Sequence, residues 1–77
     1  MEAIIMGNQK VEYTTKDGVN IKGLNIFVSY LDENVVGECC EKFFLNQKVI
    51  IPENIKMGDT IIINFNRWGK VESISKK

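Results

Sequence analysis

Histidine is absent from this chain of 77 residues, proline, arginine and tryptophan occur once each, and the only cysteines are the neighbours Cys39 and Cys40. Without histidine, a zinc site would need carboxylates alone or a second chain, and the commonest general base of enzymes is missing. Metal and cofactor are therefore discounted. Adjacent cysteines on a strand point to opposite faces and do not meet disulfide geometry, so both read as free thiols, one a small core residue and one on the surface. Free thiols fit a reducing cytoplasm, and Met1 to Lys10 lacks a basic-then-apolar leader. Apolar runs such as Val49-Ile50-Ile51 and Ile61-Ile62-Ile63 are far too short to cross a bilayer, which gives the expectation of a soluble, cytoplasmic protein with no membrane partner.

Net charge is also lacking: ten basic residues balance ten acids. A protein that clings to any polyanion by bulk charge is excluded on that count. The distribution is uneven, however. Three lysines face six acids up to Glu38, whereas seven basic residues face four acids from Cys39 onward, an asymmetry that permits a local basic face. The length allows one domain over residues 1–77 with one small core, and a chain of this size is often helped by a metal, a disulfide or a partner subunit. With the first two discounted, oligomerisation is the favoured remaining aid to stability, with a monomer as the alternative.

What is present reads as strand. Ala3-Ile4-Ile5-Met6, a bulge or kink at Gly7-Asn8, and Gln9 to Thr15 make one long bent first strand. Lys16-Asp17-Gly18 is a turn, and the segment from Asn20 to Gly23 reads as a mobile loop or a protruding hairpin that carries Lys16 and Lys22 into solvent. Leu24 to Leu31 forms the second strand. Its period of two puts Leu24, Ile26, Val28 and Tyr30 on one face and Asn25, Phe27, Ser29 and Leu31 on the other. Val35 to Leu45 is the third strand, with curvature at Gly37 and a bulge near Glu41, which otherwise falls on the inward face. Pro52 to Lys56 has the composition of a single helical turn with proline first, crossing the molecule.

The most informative stretch runs from Gly58 to Ile74. Ile61 to Phe65 and Val71 to Ile74 are strands, and Asn66 with Gly69 suits the short loop of a β-hairpin. That loop pushes Arg67 and Trp68 out of the sheet, unless Trp68 folds back as a lid over the barrel end. Five strands with glycine kinks and one irregular crossing predict an all-β fold, a small five-stranded Greek-key barrel of OB-fold type, with an SH3-like barrel as the near alternative.

Catalytic chemistry has no foothold in these residues. There is no glycine-rich phosphate loop, and Glu38 and Glu41, three apart on a strand, face opposite sides. The surface instead offers rings and cations. Phe27 or Tyr30 on the second strand, Phe44 beside Lys42, and Trp68 between Arg67 and Lys70 supply flat platforms next to positive charge, whereas Tyr13 and Phe43 read more readily as core aromatics. Single-stranded nucleic acid uses that combination, with bases stacked on rings for about 1–3 kcal/mol each and lysines along the phosphates. The alternative is a small protein-interaction or assembly module that uses apolar outer faces and open sheet edges.

The segment Tyr13-Thr14-Thr15-Lys16-Asp17-Gly18-Val19-Asn20-Ile21-Lys22-Gly23 resembles the aromatic-Thr-Thr-basic-x-Gly-Val-x-x-x-Gly stretch of the filamentous-phage single-stranded DNA-binding, or helix-destabilising, proteins. Tyr30-Leu31-Asp32 is similar to that family's Tyr-Val-Asp, and Arg67-Trp68-Gly69 to its Gln-Phe-Gly hairpin tip. The resemblance implies an OB-type barrel that dimerises and coats single-stranded DNA cooperatively during replication or packaging. It places Lys16 at a DNA-contacting position, Lys22 one place beyond another, Tyr30 as a stacking ring and Trp68 on the loop that meets DNA and the next dimer. The chain departs from the pattern at Ile26, where the family has a stacking tyrosine, and it is shorter before the third strand.

Overall fold

Apolar side chains two residues apart, Ala3 and Ile5, Ile26 and Val28, Ile61 and Ile63, turn one face of each strand toward a common core. In the computed structural model, which describes residues 1–77, they lie on five strands and no helix: β1 (Glu2–Thr14), β2 (Asn20–Leu31), β3 (Glu38–Asn46), β4 (Thr60–Phe65) and β5 (Val71–Lys76). The core is completed by Leu45 from β3 and by Val71 and Ile74 from β5, so every strand contributes to it. Each fully buried aliphatic side chain is worth about 1.5–3 kcal/mol against exposure, and with only ten residues buried the reserve is small.

The strands form one antiparallel sheet in the order β3-β2-β1-β4-β5. β1 serves two partners. Its first residues pair with β4 and, from Ile4 onward, it pairs with β2 as far as Thr14 opposite Asn20. The register shifts between Ile5 and Gly7, so the bulge lies at Met6, just ahead of the expected Gly7-Asn8. The extra residue bends the strand and lets one β1 serve both halves of the sheet.

The structure decides one open reading and corrects three others. Of the mobile loop and the protruding hairpin expected from Asn20 to Gly23, it is the hairpin that forms, because Ile21 and Lys22 pair with Tyr13 and Glu12 and make a protruding two-stranded stem. Its turn is closed by Thr15, whose N–H donates to the Val19 carbonyl at 2.8 Å, with Gly18 at a φ of 82°. β3 begins at Glu38, not Val35, because Gly37 takes a φ of 93° that a strand does not contain. No bulge occurs at Glu41, since β2 and β3 pair without interruption from Gly23–Asn46 to Leu31–Glu38. Glu41 instead escapes burial by reaching solvent, where its Oε2 accepts from the Tyr30 hydroxyl at 3.3 Å.

The crossing after β3 contains no helical turn; Glu53 and Asn54 form a simple turn. Ile50 instead lies beside β5 in a single parallel bridge to Ser73, with the Ile74 N–H donating to the Ile50 carbonyl at 2.9 Å. That bridge ties the crossing to β5, and an edge-on contact between Phe43 of β3 and Phe65 of β4, 5.6 Å between centroids, brings β3 toward the other half of the sheet. No ladder joins β3 to β5, so the sheet is open and both remain edges.

Candidate nucleic-acid interface

The tip between β4 and β5 is built by Asn66. Its Oδ1 accepts from the N–H of Trp68 at 3.0 Å and of Lys70 at 3.1 Å, while its own N–H donates to the Lys70 carbonyl at 2.8 Å. Gly69 closes the loop at a φ of 77°, a conformation that favours glycine. With the backbone so fixed, Trp68 stands 70% exposed and does not fold back as a lid. The Arg67 guanidinium lies 4.5 Å from the Trp68 ring centroid, a cation–π pair that leaves a charged, flat surface at the tip.

Beside this tip a groove of about 440 Å³ runs toward β3, lined among others by Lys42, Phe44, Asn46, Gly69 and Lys70. Asn46 is shared with a second groove of about 280 Å³, whose walls include Asn20, Lys22 and Lys48. Lys42 is shared with a third of about 280 Å³, which contains Met6, Phe27 and Cys40. The three depressions are thus neighbours, two of them each sharing one lining residue with the first. They link the stem of the β1–β2 hairpin, the outer face of β2 and β3, and the β4–β5 tip.

The sequence-predicted residues divide on this map. Arg67, Trp68 and Lys70 fall together at the β4–β5 tip, and Lys16 projects from the β1–β2 turn. Lys22 stands on the stem but is engaged by Glu12 across the ladder at 3.9 Å, a weak and exposed pair. Phe27 is on the outer face, 40% exposed, opposite Lys42. Tyr30 lies on the other face, packed against the core and bonded to Glu41, so it shares no surface with Phe27. Burial first, then the Glu41 carboxylate and Cys39, push its hydroxyl above the usual phenol range. An acid beside that hydroxyl disfavours a nucleic-acid contact there.

Other rings also separate. Phe43 packs inward as expected, whereas Tyr13, read as core, is exposed on the stem because no β3 residue lies beside it there. Phe44, named beside Lys42 as a platform, is 43% exposed on the outer face. Asn46 and Lys48 were not legible as site residues. Their place depends on where the chain turns after β3, and no local pattern encodes it.

Charge is sorted along the molecule. From Gly23 to Glu41 the chain has four acids and no base, and Asp32, Glu33 and Glu38 lie at the β2–β3 turn, the end away from the hairpin tips. Lys22, Lys42, Lys48 and Lys70 line the grooves, so zero net charge coexists with a local row of cations, while Lys76 and Lys77 are paired with Asp59 and Glu2 elsewhere. No group of three or more acids or cysteines converges as metal ligands. No helix is long and apolar enough to cross a membrane. Comparison with known proteins finds no matching family model, no similar curated protein and no similar solved structure.

Proposed function

We propose that this protein is a non-enzymatic single-stranded DNA-binding protein of phage or mobile-element type. The observation that carries the reading is the set of three neighbouring grooves, with cations from both hairpins and half-exposed rings from the outer face of β2 and β3. OB folds bind oligonucleotides with these same parts, the face of strands 2 and 3 and the loops 1–2 and 4–5. The strand order, with Phe43 of β3 meeting Phe65 of β4 and Ile50 of the crossing bridging to β5, supports an OB-type Greek-key barrel opened between β3 and β5. Rings set on a sheet accept unpaired bases, whereas a stacked duplex offers them only its backbone. With net charge at zero, affinity must come from these local contacts.

The resemblance to the helix-destabilising proteins of filamentous phages supports the same reading, with a homodimer that coats single-stranded DNA in the cytoplasm during replication. Titration of a fluorescent mixed-sequence oligonucleotide in low salt, followed by Trp68 emission, tests it. Saturable quenching that salt reverses, and that unlabelled single strands but not duplex compete away, is the expected result. No quenching and no binding removes the proposal; displacement by RNA at lower concentration than DNA changes the nucleic acid.

A second reading, a protein-assembly module, is favoured by the fully exposed Val36, the largely exposed Leu31 and the open edges of β3 and β5. It requires a protein partner that survives nuclease treatment and is indifferent to the loss of Lys42 or Lys70.

A further inference from the structure

We propose that Phe27 and Phe44 form a two-base stacking step, in which consecutive unpaired bases lie on the two rings and Lys42 takes the phosphate between them. This rests on the single-strand reading and gives it a defined subsite. Each ring is laid on a glycine. Phe27 pairs across the ladder with Gly7, where a Cβ would stand 3.8 Å from the ring's Cδ2. Phe44 lies over Gly23 so closely that a Cβ there would come within 2.5 Å of its Cε2 and Cζ.

Each ring thus packs against backbone that bears no side chain, and Phe27 and Phe44 remain 40% and 43% exposed although both are apolar. Phe43, by contrast, packs against the core and meets Phe65 edge-on. Lys42 is directly opposite Phe27 and two residues before Phe44 on the same face, so the cation stands between the rings. Diagonal neighbours on such a face lie about 7–8 Å apart, a step that an extended single strand spans from one base to the next. Between the two rings the outer-face pairs are Phe27–Lys42 and Asn25–Phe44; the nearest acid, Glu41, lines the depression beside Phe27 but belongs to the other face of β3.

Fluorescence anisotropy with a short oligothymidine and with the same oligomer carrying abasic residues separates ring–base stacking from phosphate binding. Phe27→Leu and Phe44→Leu are each expected to weaken binding to the base-bearing strand by about tenfold and to leave the abasic strand nearly unchanged. Phe43→Leu, an inward ring, should not discriminate between the two strands. Ultraviolet cross-linking of the unaltered protein to oligothymidine provides a readout that needs no variant: adducts are expected in tryptic peptides 23–42 and 43–48. Equal losses on both strands, or adducts confined to other peptides, overturn the stacking step while leaving single-strand binding in place. Failure of the unaltered protein to bind either strand overturns the step together with the reading beneath it.

Discussion

Trp68 is the residue on which the electrostatic and the apolar parts of the face meet. Its backbone is held by Asn66 and its ring touches no core residue, so Trp68→Ala is expected to change stability by no more than about 0.5 kcal/mol. In the same variant, oligonucleotide affinity should fall by about 1–3 kcal/mol, read by anisotropy beside a thermal melt. Gly23 has the opposite profile. A Cβ there would meet the Leu45 carbonyl oxygen as well as the Phe44 ring at 2.5 Å, and the carbonyl belongs to backbone that cannot turn aside. Gly23→Ala should therefore cost about 1–3 kcal/mol in a urea melt, while Gly7→Ala, with its nearest contact at 3.8 Å, should be nearly neutral.

Asp59 sets a pH dependence that is independent of the binding face. Its carboxylate accepts from the Lys56 N–H at 2.8 Å and pairs with Lys76 at 3.5 Å, and the backbone hydrogen bond, more than the lysine, holds its carboxyl below the ordinary aspartate range. A depressed folded-state pKa stabilises the fold fully above the unfolded value, and the contribution disappears as the pH falls through the lowered one. Urea midpoints measured across the acid range should drop over that window in the unaltered protein and drop less in Asp59→Asn. Equal slopes would remove Asp59 from the acid response.

At the scale of elements, the two hairpins were the most legible parts of the chain. Asn66 and Gly69 bracket a loop whose conformation they dictate locally, and the alternation from Leu24 to Leu31 correctly separates Ile26 and Val28 from Phe27 and Leu31. Where local signals ended, so did the reading. The polar, glycine-bearing segment from Asn20 to Gly23 leaves a loop and a protruding hairpin both open, and only its pairing with Glu12 and Tyr13 selects the hairpin. Residue type makes Phe27 and Tyr30 equal candidates, while their separation by three residues puts them on opposite faces. The groove beside β3 was hidden for a different reason: it is formed by Lys42 and Lys70, far apart in sequence, and exists only once β3 and the β4–β5 tip approach. These two lysines serve phosphate contacts in the proposed interface. Replacing either by alanine should weaken binding evenly across sequences and lower the salt slope by about one, measured from affinities over a range of sodium chloride.

At the scale of the whole molecule, a neutral chain has been given direction. Asp32, Glu33 and Glu38 lie at the β2–β3 turn, whereas Lys22, Lys42, Lys48 and Lys70 line the grooves beside the half-exposed rings of the outer face. Composition alone hides this, because opposite charges cancel in the sum while the fold sorts them in space. The same sorting makes the central claim local and therefore mappable. A titration of the ¹⁵N-labelled protein with single-stranded oligonucleotide, followed by amide chemical shifts, reads every strand at once. The expected result is that shifts are confined to the Lys16 turn, the residues of β2 and β3 around Phe27, Lys42 and Phe44, and the Arg67 to Lys70 tip. Shifts centred instead on Leu31 to Gly37, or no shifts at saturating oligonucleotide, would contradict it.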